Sequence, residues 1–247
     1  MNQTILITGA SRGIGAATAL LAAKNGYSVC VNYLKSAGAA FKIVDTITQN
    51  GGKAIACQAN ASVETEVVDL FKEADKLGRL TSLVNNSGVL ETQSRVEEMS
   101  EERLHRIFTN NIVSGFLCSR EAIKRMSTKH GGIGGAIVNV SSVASRTGSP
   151  NEYVDYAASK GAMDVFTLGL SKEVACEGIR VNAVRPGFIY TDIHASGGEP
   201  DRVDRIKSTL PMQRGGTPEE VANAILWLLS KEASFTTGTF IELAGGR

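Results

Sequence analysis

Short apolar runs alternate along the chain with longer stretches in which apolar residues recur at helical spacing. The runs typical of β-strands are 5–8, 28–32, 53–57, 82–85, 136–141, 180–184 and 239–243. The stretches of helical period are 14–24, 37–49, 64–77, 101–128, 154–177 and 218–229. Strands separated by helices of this length pair in parallel, because the crossover connection needs that many residues. The pattern therefore predicts an α/β doubly wound parallel sheet, with ligand bound at the C-terminal ends of its strands.

Composition bears on the number of domains and the broad class of protein. The chain has 247 residues, 43% hydrophobic and 21% charged, as in ordinary globular proteins. No change in composition marks a second domain, so residues 1–247 are predicted to form a single domain. The net charge of +1 argues against nucleic acid or an anionic membrane as the main partner. No apolar run reaches the ~20 residues of a membrane helix and no signal-like segment precedes the first strand, so we expect a cytoplasmic protein.

Cysteine and histidine spacing gives no sign of a metal site or of a disulfide framework. The cysteines form no C-x-x-C pair, and the three histidines lack the spacing of metal ligands. We therefore expect no structural metal, and four buried, reduced thiols at Cys30, Cys57, Cys118 and Cys176.

Two glycine-containing segments lie between predicted elements. Segment 131–135 has a helix and a strand close on either side and no helix starting after it, so we interpret it as a flexible surface turn rather than a phosphate loop. Segment 191–216 is long and follows the end of a strand. Long connections over a binding crevice tend to be lids, and we predict a substrate lid here, the alternative being a merely flexible connection.

A glycine-rich loop joins the first strand to the first helix and reads T-G-A-S-R-G-I-G from Thr8 to Gly15. Its three glycines allow a tight turn, close approach of the backbone to a pyrophosphate, and close packing of helix on strand. The helix N-terminus then offers free N–H groups and the positive end of its dipole to phosphate. A strand–loop–helix unit of this kind predicts dinucleotide binding.

Three motifs together resemble the short-chain dehydrogenase/reductase family, and the resemblance covers essentially the whole chain. The glycine loop matches the family's T-G-x-x-x-G-x-G, residues 85–88 read N-N-S-G where the family has N-N-A-G, and residues 185–191 look like its P-G-x-x-x-T segment. The resemblance implies a single-domain Rossmann fold that binds a nicotinamide dinucleotide. The residues expected to bind this cofactor are Gly9, Ser11, Arg12, Gly13, Ile14, Gly15, Asn32, Tyr33, Asn60, Asn86, Ser87, Gly88, Tyr156, Lys160, Pro186, Gly187, Ile189 and Thr191.

Two features favour NADP, as NADPH, over NADH. The end of the second strand reads N-Y-L-K from Asn32 to Lys35 and lacks the carboxylate that NAD enzymes place against the ribose hydroxyls. Arg12 lies inside the glycine loop, where a guanidinium can bind a 2′-phosphate, the alternative being a solvated loop residue. Asn60 stands where the family has an aspartate near the adenine, and its amide can still hydrogen-bond the base.

Tyr156 and Lys160 are four residues apart on a predicted helix, so both side chains leave the same face. A phenol with a pKa near ~10 is a poor base at neutral pH, and a neighbouring ammonium group favours the phenolate. Tyr153 lacks such a partner, because Ala157 occupies its i+4 position. We therefore predict that Tyr156 is the general acid and base and that Lys160 lowers its pKa.

The resemblance implies the remaining catalytic roles. A serine at the end of the fifth strand hydrogen-bonds the substrate oxygen in the family, and the spacing to the tyrosine favours Ser142 over Ser141. The family's water-positioning asparagine matches Asn111, for which a kink or packing role in the helix is the alternative. The expected reaction is hydride transfer between nicotinamide and a small-molecule carbonyl or secondary alcohol, with Tyr156 donating the proton and Lys160 binding the ribose.

The sequence leaves several substrates and one other class of function open. Segments 149–156 and 238–247 look like sugar (glucose) dehydrogenase-type members, whereas 3-oxoacyl-ACP reductases share most of the same motifs. A non-catalytic dinucleotide-binding sensor is the alternative class, although binding alone does not require the tyrosine. The family also implies a homotetramer packed through helices 101–128 and 154–177 and the C-terminal segment. A basic cluster either docks an acidic carrier or offsets a helix dipole: Lys124, Arg125, Lys129 and His130.

Overall fold

The computed structural model describes residues 3–247, and within them seven strands form one parallel sheet. In chain order the strands are β1 (Gln3–Ile7), β2 (Ser28–Tyr33), β3 (Ala54–Gln58), β4 (Arg79–Asn85), β5 (Gly135–Val140), β6 (Ile179–Pro186) and β7 (Phe240–Leu243). Across the sheet the order is β3-β2-β1-β4-β5-β6-β7. The direction of winding reverses between β1 and β4, where a binding crevice opens beyond the strand ends. The predicted doubly wound, single-domain fold is confirmed.

Helices cover both faces of this sheet. They are α1 (Gly13–Lys24), α2 (Ala37–Gln49), α3 (Glu64–Asp75), α4 (Glu101–Phe108), α5 (Ser114–Met126), α6 (Ala144–Thr147), α7 (Val154–Glu173), α8 (Ile193–Ser196), α9 (Arg202–Ile206) and α10 (Pro218–Leu229). Among the residues placed by the structure, no helix is both long and apolar enough to cross a bilayer.

The hydrophobic core has two layers, one on each face of the sheet. Ile5 and Ile7 of β1 pack in the layer under α1, α2 and α10. Leu6, between them, points to the opposite layer under α3, α5 and α7, where it joins Phe71 and Leu83. Successive side chains of a strand alternate between faces, so a strand covered on both sides is apolar at every position.

The helix predicted over 101–128 is interrupted. Helix α4 ends at Phe108, a π-helical turn follows at Thr109–Val113, and α5 then runs to Met126. Asn111 lies in this turn with its side chain buried, whereas a regular helix of the same period would continue unbroken. Single π-helical turns within α-helices occur frequently at functional sites. The helix predicted over 154–177 also ends early, at Glu173.

Segment 131–135 is a turn whose glycines serve close packing rather than flexibility. Gly131 and Ile133 reach the surface, but Gly134 is buried with φ of 80°. A Cβ atom on Gly134 would lie 2.4 Å from the carbonyl oxygen of Gly178, and one on Gly132 would lie 2.3 Å from that of Met126. The segment is thus a surface turn that leads into β5, as expected, and Gly132 and Gly134 are positions where a larger side chain would not fit.

The four cysteines differ in exposure, and the expectation that all are buried is wrong for two of them. Cys30 and Cys118 are buried, Cys57 is partly exposed, and Cys176 is exposed. All four are free thiols. Cys176 falls in the short 3₁₀ turn Ala175–Glu177 that follows α7.

Candidate active site

One cavity of about 880 Å³ opens over the C-terminal ends of the strands. It extends from the glycine loop between β1 and α1, past the ends of β4, β5 and β6, to helices α8 and α9. Its position is the crevice expected of a doubly wound sheet. The two ends of the cavity differ in chemistry, and we describe them in turn.

The glycine loop forms a backbone cradle at one end. Gly9 and Gly13 have φ values of +61° and +55°, which side-chain-bearing residues rarely adopt. A Cβ atom on Gly13 would lie 3.2 Å from Thr191 Cγ2, so the loop passes close to the segment after β6. Arg12 precedes α1 without a side-chain cap, which leaves the first N–H groups of the helix available to an anion. The residues present therefore fit the pyrophosphate of a dinucleotide.

The loop after β4 is fastened to the glycine loop. Asn86 Nδ2 donates to the carbonyl oxygens of Thr8, at 2.9 Å, and Gly9, at 3.0 Å. Thr8 Oγ1 accepts from the backbone N–H groups of Asn86 and Ser87, both at 3.0 Å. Ser87 and Gly88 then line the cavity. The predicted Asn86, Ser87 and Gly88 thus come together with the glycine loop at a single wall.

The residues at the end of β2 are placed differently from the prediction. Asn32 is buried, where its Oδ1 accepts from Gly9 N at 3.2 Å and its Nδ2 donates to Ala59 O at 3.0 Å. Asn32 thus shapes the cavity wall by supporting the loop. Tyr33, also predicted to bind the cofactor, is buried in the apolar layer beneath α2 and does not line the cavity, because successive strand residues point to opposite faces.

Three residues after β2 line the cavity and were not among those predicted from the sequence: Leu34, Lys35 and Ser36. The signal that could have found them is their place just beyond the strand end, where the chain turns over the crevice. Asn60 lines the same wall, with its Oδ1 accepting from Ser62 N at 3.0 Å. Gly15 lies behind the wall, where a Cβ would meet Gly9 O at 2.6 Å, so it serves packing.

At the other end of the cavity α7 presents Tyr156 and Lys160. Lys160 Nζ donates to Val140 O at 2.8 Å and lies 5.5 Å from the centroid of the Tyr156 ring. Ser142, at the end of β5, also lines the cavity, and its Oγ accepts from Ala144 N at 3.1 Å. Ser141 lines the cavity too, but it is buried and its hydroxyl already donates to Asp164 Oδ1 at 2.6 Å. The geometry therefore favours Ser142 over Ser141 as a substrate contact.

Burial is the main cause of the pKa shifts at this end of the cavity. Burial raises the pKa of Tyr156 to about 12, and the neighbouring Ser142 hydroxyl lowers it only in part. Burial also lowers the pKa of Lys160 to about 8, while the charge of Asp164 opposes that shift. The amine of Lys160 is not among the groups that shift the Tyr156 pKa in these surroundings, so the lowering effect expected of Lys160 stays a prediction. Tyr156 is held as the protonated phenol at neutral pH.

Asn111 lies behind this wall, in the π-helical turn. Its Oδ1 accepts from Val89 N at 2.7 Å, and its Nδ2 donates to Val89 O at 3.0 Å and to Ser159 Oγ at 3.0 Å. A Cβ atom on Gly88 would lie 3.5 Å from both Asn111 Oδ1 and Lys160 Nζ. Asn111 is therefore both a packing residue of the distorted helix and a neighbour of the Lys160 amine.

A buried ion pair that sequence reasoning missed supports the start of α7. Arg103 Nε donates to Asp155 Oδ2 at 2.7 Å, and both side chains are almost fully buried. Asp155 Oδ1 also accepts from the backbone N–H of Tyr156 at 2.8 Å. The two residues lie 52 positions apart, and no local pattern indicates the pair.

The segment predicted as a lid, 191–216, lines the end of the cavity that holds Tyr156 and Lys160. Its ends meet, since Tyr190 N donates to Gly216 O at 3.0 Å and Gly216 N donates to Phe188 O at 2.9 Å. Between them lie α8 and α9. The cavity-lining residues from this segment are Thr191, Asp192, Ile193, His194 and Arg202, and the strand end before it supplies Pro186, Gly187 and Ile189.

A doubly wound sheet with a glycine loop at its first crossover and a paired tyrosine and lysine at the opposite end of the crevice defines a dinucleotide-dependent oxidoreductase. A family model described as enoyl-(acyl carrier protein) reductase matches residues 9–247. Together with the relatives below, this match shows that the chain belongs to the short-chain dehydrogenase/reductase family. Members of this family use nicotinamide dinucleotides.

Three curated relatives cover nearly the whole chain. The uncharacterized oxidoreductase YgfF of Escherichia coli is 62% identical over 243 residues, 98% of this chain and 98% of its own. A 3-oxoacyl-[acyl-carrier-protein] reductase of Synechocystis is 40% identical over 247 residues, 99% of this chain and 96% of its own. Glucose 1-dehydrogenase 2 of Bacillus subtilis is 36% identical over 245 residues, which cover 99% of this chain and 94% of that protein.

A solved structure shares the fold closely. The dehydrogenase/reductase from Sinorhizobium meliloti superposes with a TM-score of 0.91 at 28% identity, and the match covers 99% of this chain and 94% of that one. The predicted resemblance to the family, including both sugar dehydrogenase and 3-oxoacyl reductase members, is confirmed.

Proposed function

We propose that this protein is an NADP(H)-dependent oxidoreductase that interconverts a small-molecule carbonyl and a secondary alcohol, with Tyr156 as general acid and base. The observation that carries the proposal is the grouping of Tyr156, Lys160 and Ser142 in the same cavity as the glycine loop. A protein that only bound a dinucleotide would need the loop alone. The cavity also continues beneath the segment 191–216, which we propose to be a substrate lid.

The chain's own residues account for binding and proton transfer. A bound reduced nicotinamide supplies the hydride. The hydroxyls of Ser142 and Tyr156 donate to the substrate carbonyl oxygen, which orients it and stabilises the negative charge that develops there. The raised pKa of Tyr156 keeps its proton in place until that oxygen becomes basic enough to take it. Lys160, fixed by its bond to Val140 O, then favours the phenolate through its positive charge, and Asn111 holds the wall behind the amine.

The test is NADPH absorbance against a panel of ketones, quinones, oxidised sugars and a 3-oxoacyl thioester. We expect oxidation with at least one class. Tyr156→Phe should lower kcat by about 10²–10⁴-fold or more while NADPH binding is kept, because proton donation of this kind contributes that much. Tyr153→Phe is the matched control and should keep most of the activity. Full activity in Tyr156→Phe would mean that another group is the acid.

Tight NADPH binding without oxidation by any member of the panel would support the dinucleotide sensor instead. The 3-oxoacyl thioester arm tests the reductase alternative. The basic cluster gives that alternative no support, since Lys124 pairs with Glu121 at 2.7 Å and Arg125 pairs with Asp75 at 2.9 Å. Lys124 and Arg125 also lie in the last turn of α5, as the alternative of a charge that offsets the helix dipole expects.

The preference for NADP rests on the wall beyond β2. Arg12 and Lys35 line this end of the cavity, and both offer cationic donors suited to a phosphate. Charge-assisted hydrogen bonds contribute about 1.5–3 kcal/mol, so Arg12→Ala or Lys35→Ala should weaken NADPH binding by about tenfold or more. NADH binding should change little, because it lacks the 2′-phosphate. Fluorescence titration of both cofactors measures the difference.

The control for these variants is Lys42→Ala, which removes one positive charge from the exposed face of α2 away from the cavity. It should leave both affinities unchanged. Equal losses of NADPH and NADH affinity in Arg12→Ala would contradict recognition of the 2′-phosphate.

We also propose that the protein assembles as a homotetramer and works in the cytoplasm. The apolar outer faces of α5 and α7 support the homotetramer. The four cysteines, which are all free thiols as is usual in a reducing compartment, support the cytoplasmic location.

A further inference from the structure

Asp164 is a buried carboxylate behind the catalytic end of the cavity, and the proposed chemistry gives it no part. It lies on α7 four residues after Lys160, so both side chains leave the same face of the helix. A buried charge is unfavourable unless it is paired and hydrogen-bonded. The carboxylate of Asp164 has two such partners, one at the end of β5 and one on β6.

The first partner fixes the end of β5. Asp164 Oδ1 accepts from Ser141 Oγ at 2.6 Å. Ser141 directly follows Val140, whose carbonyl oxygen accepts from Lys160 Nζ at 2.8 Å. It directly precedes Ser142, which we propose to contact the substrate. The carboxylate of Asp164 therefore holds the short segment on which the position of the amine and of the Ser142 hydroxyl depends.

The second partner begins a series of alternating charges that reaches the surface. Arg185 Nε donates to Asp164 Oδ2 at 3.1 Å, and its Nη2 lies 2.9 Å from the same oxygen. Arg185 Nη1 donates to Glu242 Oε1 at 3.2 Å, and that oxygen also accepts from Arg146 Nη1 at 2.6 Å. Side-chain exposure rises along the series, from 11% at Asp164 to 58% at Arg146. The carboxylate is thereby held in one orientation inside the protein.

At its inner end the series meets the amine of Lys160. Burial lowers the pKa of this amine to about 8, and Asp164 is the charge in the described part of the chain that opposes the shift. The other groups around the amine are neutral at pH 7: Val140 O, the Asn111 amide and the phenol of Tyr156, whose pKa burial raises to about 12. The anionic neighbour favours the ammonium form of Lys160.

We propose that Asp164 is a positioning residue for the reaction, which fixes the end of β5 and keeps Lys160 in its ammonium form. This inference rests on the proposed function, in which the positive charge of Lys160 favours the phenolate of Tyr156. Asp164 does not line the cavity, so it acts through Ser141 and Lys160 rather than on the substrate.

The first test follows stability and needs no substrate. Asp164→Asn removes the charge and keeps an oxygen acceptor for Ser141, whereas Asp164→Glu keeps the charge. Lys160→Met is combined with each variant and with the unaltered protein, and urea unfolding of the full chain is measured at a series of pH values. Lys160→Met removes the penalty of burying the amine, and that penalty declines above the pKa of Lys160 in the folded protein.

We expect this decline to begin near pH 8 in the unaltered protein and about one pH unit lower with Asp164→Asn, because an amine without its anionic neighbour loses its proton more readily. With Asp164→Glu the decline should still begin near pH 8. Glu173→Gln, which removes a negative charge from an exposed position of the same helix, is the control and should leave the pH range unchanged. A purely structural role of Asp164 would change the free energy of unfolding without moving this pH range.

The second test follows NADPH oxidation with a ketone that proves to be a substrate. The kcat for reduction should fall as Lys160 loses its proton, so at pH 8 Asp164→Asn should retain about one-fifth of the unaltered kcat and Asp164→Glu most of it. Ser141→Ala keeps the charge and releases the end of β5. It should lower kcat about threefold or more at every pH, without moving the pH at which kcat falls.

Melting curves show whether each variant is folded, and Ser141→Ala, which removes one hydroxyl, still tests the proposal if Asp164→Asn does not fold. An unchanged pH range in folded Asp164→Asn, or an equal shift in Asp164→Glu, would overturn the role of the charge. Full kcat in Ser141→Ala would overturn the fixing of β5. Failure of every ketone in the panel would instead overturn the proposed function, and the stability test would still show whether Asp164 sets the charge of Lys160.

Discussion

At the scale of a residue, burying the amine of Lys160 lowers the stability of the folded protein. Only 3% of the residue is exposed, and burial lowers its pKa from 10.5 to about 8 against the opposing charge of Asp164. A base whose pKa is lower in the folded than in the unfolded protein binds fewer protons when folded. Its burial therefore opposes folding below pH 8, and this penalty disappears as the pH rises to 10.5. Functional sites commonly carry such a penalty.

Lys160→Met should therefore stabilise the protein while it abolishes turnover. At pH 7 we expect the free energy of unfolding to rise by about 2 kcal/mol, the desolvation penalty less the lost bond to Val140 O. The gain should shrink as the pH is raised from 8 toward 10.5, the interval between the two pKa values. Urea unfolding across this pH range measures it. Lys172→Met, at an exposed position of the same helix, should show no such trend, and a less stable Lys160→Met protein at pH 7 would contradict the argument.

Residues that act through local spacing were predictable, and those that meet through tertiary folding were not. Tyr156 and Lys160 share a face because of the helical period alone, and the glycine loop follows directly from its position after β1. Arg103 and Asp155 become neighbours only because α4 packs against α7 across 52 positions of the chain. No periodicity along the chain contains that information.

At the scale of elements, the same distinction separates α10 from the α4–α5 region. The bounds predicted for α10 match those observed, because a proline and a capping threonine mark its start locally. The π-helical turn at Thr109–Val113 depends instead on Asn111, whose side chain bonds to Val89 at a separation of 22 residues. The apolar period on either side is typical of one long helix, so the interruption could not be predicted from it.

The start of α10 gives a prediction for one element. Thr217 Oγ1 accepts from Glu220 N at 3.3 Å, and Glu220 Oε2 accepts from Thr217 N at 2.9 Å, which together form a capping box. Thr217→Ala should lower the free energy of unfolding by about 1 kcal/mol. Ser36→Ala is the matched control, because Ser36 precedes α2 without a side-chain cap bond. Urea unfolding without cofactor measures both variants. An equal loss of unfolding free energy in Thr217→Ala and Ser36→Ala would contradict a stabilising role for the capping box.

At the scale of the whole molecule, the outer faces of α5 and α7 are apolar where a surface helix is ordinarily polar. Phe116 is 51% exposed and stacks at 4.0 Å between ring centroids on Phe166. Val165 is 70% and Leu168 41% exposed on the same side of α7. A Cβ on Gly161 would meet no atom within 4 Å, so this face is also open to close approach of another helix. Contiguous exposed apolar surface of this kind marks a protein–protein interface.

The proposed homotetramer should therefore depend on α7. Val165→Arg places a charge at the centre of the apolar face, and burying an unpaired charge in an interface is strongly unfavourable. We expect light scattering coupled to size-exclusion chromatography to show a tetramer for the unaltered protein and a smaller species for Val165→Arg. Val96→Arg, at a 62% exposed position before α4, should leave the mass unchanged and so separates loss of the interface from a general effect of added charge. A stable monomer of the unaltered protein would remove the tetramer, whereas a tetramer that survives Val165→Arg would place its interfaces elsewhere than on α7.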